Sequence, residues 1–379
     1  MSEDLYDRIR RNMNSIWPLK LPKHKKIIEM LKILWHTEEE AKIISTFEQP
    51  LVDQKGPKKL AKLTGIPLEK LIELCENMAK RGVIFKEGKK YALLPIMPGL
   101  YEFYFIAQSD SHENLVRAAK LFHEIVDSGL LNEWYDSEYP FFRTMPSSSL
   151  SQKIPKTIEI NEDIKAQHEI LVFEDVEKYI KEAKSISVVN CACRTTHALA
   201  GLSECEKPME ICIALNMASD ALNSYNLGKR LTQEEALTLL KVAEDNGLVH
   251  TIINGSSEAA MLICNCCSCH CGVLTGLTKY NNPRAFAKSN FRPAIDQIIC
   301  KKCEKCIKTC PMNAIWHHWP HQNDLNDNFI AIKEDRCIGC GLCAHHCPND
   351  AITMNKLYND VPAETLPGVL TAVETKKHH

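Results

Sequence analysis

No stretch of this chain reaches the ~18 unbroken apolar residues that a membrane helix needs. The longest candidate, residues 92–107, is interrupted by Pro95, Pro98 and Glu102. The opening Met1-Ser-Glu-Asp-Leu-Tyr-Asp-Arg8 has neither a basic start nor an apolar core, so no secretory signal is expected and a cytoplasmic location is. Nucleotide fingerprints are missing too: neither G-x-G-x-x-G nor G-x-x-x-x-G-K-S/T occurs, which removes the usual grounds for a nicotinamide, flavin or nucleoside triphosphate site. An excess of either sign of charge is also missing. A formal net charge of −2 with 25% charged residues describes an ordinary soluble protein and not a polyelectrolyte. At 379 residues the chain has room for two to four domains, each with its own core.

Cysteine, by contrast, is plentiful, at 18 residues. In a reducing compartment so many thiols point to metal or redox chemistry and not to disulfides, and thiolate-rich clusters survive best in an anaerobe. Eight of them fall in two runs, Cys300-Lys-Lys-Cys303-Glu-Lys-Cys306-Ile-Lys-Thr-Cys310-Pro311 and Cys337-Ile-Gly-Cys340-Gly-Leu-Cys343-Ala-His-His-Cys347-Pro348. Each is the C-x2-C-x2-C-x3-C-P pattern that holds a 4Fe–4S cube with thiolates. Three thiols at this spacing on one tight loop can reach three corners of a cube. The fourth is expected to be carried away by a helix that the following Pro begins. A pair of zinc knuckles is the competing reading, but zinc sites close on four ligands with a longer central gap.

The stretch from about residue 291 to 357 resembles the bacterial two-cluster ferredoxin family. That family binds its fourth thiol to the other cube. The resemblance therefore implies one cluster on Cys300, Cys303, Cys306 and Cys347 and a second on Cys337, Cys340, Cys343 and Cys310. It also implies that Ala314-Ile315 and Ala351-Ile352 pack over the cubes. Two departures stand out. The first loop has lysines where the second has Gly339 and Gly341, so its backbone is expected to turn amides onto sulfur less freely. The linker with Trp316-His-His-Trp-Pro-His321 and Asn323-Asp-Leu-Asn-Asp327 is expected to be an exposed loop.

A second cysteine field lies upstream. Strand Ser185-Ile-Ser-Val-Val-Asn190 leads into Cys191-Ala-Cys193-Arg194, followed by Cys205 and Cys212. A helix is expected from Met209 to Tyr225. Thr232-Gln-Glu-Glu235 reads as a capping box before a helix from Glu234 to Asn246, and a strand 248–253 turns at Asn254-Gly255. The return strand delivers Cys264-Asn-Cys266-Cys267-Ser-Cys269-His-Cys271. Strict alternation would put Cys264 and Cys266 on one side, available to join Cys191 and Cys193, and Cys267, Cys269 and Cys271 on the other. Nine cysteines in about eighty residues are expected to hold a further iron–sulfur cluster, with a zinc ion or an inert or redox-switching set of thiols as the alternatives. Arg194 would balance thiolate or substrate charge, or form a salt bridge; His197, His250 and His270 are candidate ligands or hydrogen-bonded core residues. Cys-x-Cys-Arg, the spaced pair, Gly-Leu-Val-His and Ile-Cys-Asn-Cys-Cys together resemble a group of iron–sulfur proteins of anaerobes, over most of the chain. That resemblance implies electron carriage and no particular substrate.

Residues 1–95 read as helices followed by a hairpin: 26–35, 38–47, 58–65 and 67–81, then a turn at Glu87-Gly88. Leu68, Leu71, Ile72, Cys75 and Met78 form the expected buried stripe, with Cys75 a core residue. This order resembles a winged-helix domain. Residues 51–92 carry ten Lys or Arg against five Asp or Glu, yet the helix that would enter a DNA groove presents Glu69, Glu73, Glu76 and Lys80. Carboxylates there oppose phosphate, which favours docking or dimerisation over DNA. A helix is expected at 111–128, a covering loop at 140–155, and a helix at 173–183.

The expected fold is multidomain α+β: a winged-helix-like module (1–95), a mostly helical connection (96–180), a mixed α/β cysteine-rich domain (181–280), a ferredoxin-like domain (281–362) and a flexible tail (363–379). The expected function is single-electron transfer through two 4Fe–4S clusters to or from a redox partner protein, with a further upstream centre. The alternatives are a redox-sensing regulator acting through the winged helix, and an oxidoreductase with a substrate-binding upstream cluster.

Overall fold

The computed structural model describes residues 2–148, 174–202, 205–280, 282–319 and 328–377. The chain forms two compact units, one from residues 1–136, 189–209 and 218–229, the other from 137–188, 210–217 and 230–379.

The first unit opens with helix α1 (Ser2–Met13), which the sequence reading passed over because its few apolar residues stand among charges. Tyr6, Ile9 and Met13 are nevertheless buried, and the Tyr6 hydroxyl donates to the Trp35 carbonyl at 2.7 Å. Helices α2 (Lys25–Leu34), α3 (Glu38–Ser45), α4 (Pro57–Thr64) and α5 (Leu68–Lys80) follow. Gly65 ends α4 in the left-handed region at φ 74°. Strands β1 (Phe85–Glu87) and β2 (Lys90–Ala92) make the antiparallel hairpin.

Helix α5 sits rotated from the expected stripe. It buries Leu71, Cys75, Met78 and Ala79, whereas Leu68 and Ile72 are exposed. Burial pushes the Cys75 thiol up to about 12, as befits a core residue. Glu69, Glu73 and Lys80 face solvent, but Glu76 does not share their face. It accepts from Lys86 at 2.9 Å, from Tyr225 at 3.1 Å and from Tyr91. Helices α6 (Tyr101–Ala107) and α7 (His112–Asp127) complete this part, with Ser111 capping α7 by accepting from the Asn114 amide at 3.2 Å.

The second unit is built on a six-stranded sheet of order β3-β7-β8-β5-β4-β6. Its strands and the intervening helices are β3 (Phe142–Met145), α8 (Val176–Glu182), β4 (Ile186–Asn190), α9 (Ala192–Ala200), β5 (Glu210–Leu215), α10 (Asn216–Asn223), β6 (Lys229–Arg230), α11 (Gln233–Asp245), β7 (Val249–Ile253), β8 (Leu262–Cys266) and α12 (Gly272–Thr278). Two of these helices belong to the first unit, α9 wholly, against α6 and α7, and α10 from residue 218 onward.

Two expectations fail here for clear reasons. The expected covering loop contains β3, an edge strand pairing antiparallel with β7; the part of that loop beyond residue 148 lies outside the described residues. The expected helix 209–225 is a strand and then a helix, because Ile213 and Leu215 enter the same core at period two. Helices α8 and α11 cover that face, with Tyr179, Ile180, Ala236 and Leu240 packed on Ile213, Ile252 and Ile263.

The Thr232 capping box forms, with the Glu235 amide donating to the Thr232 hydroxyl at 3.2 Å and the Thr232 amide donating to the Glu235 carboxylate at 2.8 Å. Thr232→Ala is expected to lower stability by about 1 kcal/mol, measured as a shift of the urea midpoint with unchanged slope.

The carboxyl-terminal region is two repeats of strand, cysteine loop, short helix and strand. Strand β9 (Phe291–Ile295) precedes α13 (Lys305–Thr309) and β10 (Ile315–His318); β11 (Phe329–Ile332) precedes α14 (Leu342–His345) and β12 (Ile352–Lys356). Strand β9 pairs antiparallel with β12, and β10 with β11. Residues 316–318 are thus strand and not loop; residues 320–327 of the expected loop lie outside the described residues. Residues 366–375 form helix α15 (Leu366–Thr375), anchored by the buried Val369 and Val373. That corrects the expected flexible tail, whose short apolar pattern was too brief to weigh against its charged end.

Candidate iron–sulfur sites

In each repeat the helix carries the third cysteine and stops short of the fourth, and does not follow the proline as expected. Helix α13 ends at Cys310, whose amide donates to the Cys306 carbonyl at 3.1 Å. Pro311 and Pro348 instead begin tight turns that end in left-handed Asn313 (φ 49°) and Asp350 (φ 48°), residue types that tolerate this region. These turns aim backbone amides at the fourth sulfur of each run: Ala314 N–H to Cys310 Sγ at 3.2 Å and Ala351 N–H to Cys347 Sγ at 3.3 Å.

Because the helix carries the fourth thiol away from its own loop, two mixed cavities result. One is lined by Cys300, Cys303, Cys306 and Cys347, with Ala351 and Ile352. The other is lined by Cys310, Cys337, Cys340 and Cys343, with Ala314 and Ile315. A donor set of four thiols in an apolar cage fits a 4Fe–4S cube. Burial pushes the Cys306 thiol up to about 11 and the Cys340 thiol to about 12. Without metal these thiols hold their protons at neutral pH, so filling either cage releases protons.

The cysteine loops adopt the same conformation despite their different residues. Gly339 and Gly341 have φ of 71° and 77°; Lys302 and Glu304, at the matching positions, have 54° and 59°. The Lys302 amide lies 3.4 Å from Cys300 Sγ. The expectation of a less adaptable first loop is therefore wrong in geometry and right only in energy. Each left-handed non-glycine residue costs roughly 1–2 kcal/mol.

The upstream cysteines divide. Cys191, the N-cap of α9, and Cys193 in its first turn belong to the first unit, as does Cys205. Helix α9 is held there by the Tyr101 hydroxyl, which donates to Thr196 Oγ1 at 3.0 Å; Arg194 is buried and the His197 ring packs against His123 at 4.3 Å. In the second unit, Cys212 on β5 meets the end of β8. The Cys264 thiol is raised far above its usual value by hydrogen bonding to Cys212, with Cys266 also in contact. Cys266 Sγ and Cys271 Sγ are 3.1 Å apart. Cys271 thus joins Cys264 and Cys266, contrary to strict alternation, because β8 ends at Cys266 and the chain turns back, the Cys271 amide reaching the Cys267 carbonyl at 3.3 Å.

His250 is not available as a ligand. Its Nδ1 is 2.6 Å from Asn265 Oδ1 and its Nε2 is 3.0 Å from Glu244 Oε1. The Asn265 amide nitrogen donates to the Ile211 carbonyl at 2.5 Å, which fixes its oxygen toward the ring. Glu244, 1% exposed, also accepts from the Ser148 amide and lies 3.5 Å from His345 Nδ1, while its carbonyl faces His346 Nε2 at 2.9 Å. This chain of contacts runs from the buried Asn265, between Cys264 and Cys266, to the half-buried histidines between Cys343 and Cys347. The sequence reading missed it, because Glu244 looked like one more charge on an amphipathic helix.

Two repeats that trade their fourth thiols define an iron–sulfur domain of ferredoxin type. Residues 293–354 match the family described as 4Fe-4S dicluster domain. Pyruvate synthase subunit PorD of Methanocaldococcus jannaschii is 46% identical over 63 residues, covering 17% of this chain and 65% of that protein. Hydrogenase-4 component A of Escherichia coli is 36% identical over 96 residues, 24% of this chain and 41% of that one. Ferredoxin-3 of a Nostoc species is 34% identical over 98 residues, 23% of this chain and 98% of its own length. No solved structure matches the chain. Through these residues the chain belongs to the 4Fe–4S dicluster ferredoxin family.

Proposed function

We propose that the chain is an electron-transfer component of an oxidoreductase system, holding two 4Fe–4S clusters and a further metal centre in the 191–271 field. The observation that carries this reading is the exchange of Cys310 and Cys347 between the two cavities. Bound clusters would supply reversible single-electron storage. The polypeptide's part is to exclude water with Ala314, Ile315, Ala351 and Ile352 and to direct amides at Cys300, Cys310 and Cys347. Relatives named as subunits of pyruvate synthase and a hydrogenase support a redox partner protein for this chain. A content of eighteen cysteines supports a reducing, cytoplasmic and largely oxygen-free setting, and no helix among the described residues is long and apolar enough to cross a membrane.

Iron and acid-labile sulfide counted after oxygen-free purification test the reading directly. About eight irons per chain in the dicluster domain are expected, bleached reversibly by dithionite. Colourless, iron-poor protein would end it.

The partner's approach is read from the first cage. Cys303 is exposed, Ile298 and Ile299 beside it are exposed, and Lys301, Lys305 and Lys308 face solvent. An acidic partner with an apolar centre suits this surface. Changing Lys301, Lys305 and Lys308 together to glutamate is expected to slow reduction by such a partner about tenfold at low salt, with a flattened salt dependence in stopped-flow traces.

The winged-helix reading of residues 1–95 draws support from α4, α5 and the β1–β2 hairpin. Exposed Glu69 and Glu73 favour a docking role for it over DNA. A gel-shift assay with clusters oxidised and reduced separates carrier from regulator, since only the regulator retains duplex in a redox-dependent way.

A further inference from the structure

Cys266 and Cys267 are consecutive, yet the structure sends them to different places. Cys266 closes on Cys271, and Cys264 contacts Cys212 and Cys266. Among the described residues, Cys267, Cys269 and His270 place their ligand atoms within 4.8 Å of one another. They lie on the single turn between β8 and α12, which the Cys271 amide closes onto the Cys267 carbonyl.

The spacing decides between metal types. A single tetrahedral ion with Zn–S near 2.3 Å and Zn–N near 2.0 Å sets its ligand atoms roughly 3.5–3.8 Å apart. A cube stands its thiolates farther apart, because the irons and sulfides lie between them. Three ligand atoms inside 4.8 Å need only a small rotamer adjustment to hold one ion. Their chemistry agrees: two thiols and an imidazole form the mixed set that zinc takes. His270 is 3% exposed and Cys267 4%, while Cys269 is exposed, leaving the ion an entry path from solvent.

We infer that Cys267, Cys269 and His270 form a mononuclear site for a divalent ion of the zinc class, separate from the Cys212, Cys264, Cys266 and Cys271 thiols. This inference narrows the further centre proposed for the 191–271 field and is independent of the two ferredoxin cages. Its place on the turn gives the ion a structural role, because pinning Cys267 to His270 fixes the direction in which the neighbouring Cys266 and Cys271 point.

The test uses the full chain, purified without oxygen and analysed for zinc, iron and sulfide together. The wild-type chain is expected to hold about one zinc per molecule. His270→Ala should lose that zinc with iron and sulfide unchanged, and His270→Cys should restore it. Replacing the ion with cobalt(II) gives a second readout, since thiolate-to-cobalt absorption should strengthen in His270→Cys as a nitrogen donor becomes sulfur. Absence of zinc from the wild-type chain overturns the inference. So does loss of iron in place of zinc from His270→Ala, or zinc retained by both His270→Ala and Cys269→Ser. None of these outcomes touches the ferredoxin reading, which stands or falls on the eight irons of the carboxyl-terminal domain.

Discussion

Gly339→Ala is expected to empty one of the two cages, taking iron from about eight to about four per chain while the other cage stays filled. The added methyl would stand 2.2 Å from the Phe291 carbonyl oxygen and 2.3 Å from Ser289 Oγ, at a residue with φ of 71°. Neither neighbour has room to yield. Ser289 Oγ donates to the Gly339 carbonyl at 2.7 Å, and the Phe291 carbonyl accepts from Arg292 Nη1 at 2.6 Å. Left-handed strain of roughly 1–2 kcal/mol and overpacking of roughly 1–3 kcal/mol act together on the loop that positions Cys337 and Cys340. The matching substitution in the other repeat is expected to have the opposite sign. Lys302→Gly removes strain from a residue at φ 54°, so its cage should release iron to a chelator more slowly than the wild type. Iron counts and chelation rates on both variants check the pair. Equal iron loss from the two would show that the loops do not share a conformational requirement.

Glu244→Ala is expected to cost about 1–3 kcal/mol for each buried donor it leaves without an acceptor. The carboxylate receives His250 at 3.0 Å and the Ser148 amide, with His345 at 3.5 Å, so its loss leaves several buried donors without an acceptor. Burial alone would raise this carboxyl, but the hydrogen bond and charge of His250, with the Ser148 amide, hold it below the usual value. The linkage follows from that direction. A depressed folded-state value gives stability that is fully present above the unfolded value of about 4.3 and is lost as pH falls through the lower folded value. The difference in unfolding free energy between wild type and Glu244→Ala should therefore be flat from pH 7 to pH 5 and shrink below about pH 4. Urea titrations at several pH values measure it. Glu244→Gln should fall between the two, since it still accepts hydrogen bonds but carries no charge. A difference that instead grows on acidification would refute the assigned direction.

Much of this was legible in the sequence wherever one physical cause dominates. Cysteine spacing named the ferredoxin repeats because cluster geometry leaves little latitude, and the exchange of fourth thiols followed from the family pattern. Helix ends marked by Gly65, Ser111 and Thr232 were readable because caps act locally. Legibility ended where tertiary context decides. Residues 209–215 carry apolar residues compatible with either period, and pairing of β5 with its sheet neighbours β8 and β4 makes them a strand. Glu76 looks like its neighbours Glu69 and Glu73 until Tyr91 and Tyr225 are brought to it. Glu244 and Asn265 gave no sign of meeting at His250, since contacts across the sheet leave no periodic trace. Cys271 misled for a related reason: alternation holds only while a strand lasts, and β8 stops five residues earlier.

Lys302 and Glu304 hold a backbone shape that glycine would adopt freely, so the first repeat is fastened by its metal more than by its own chain. When iron is scarce the two repeats should not share it equally: the glycine-bearing one fills first and the lysine-bearing one waits. A half-loaded molecule would then store one electron where the complete one stores two, and the vacancy would lie in the cage that carries the exposed Cys303.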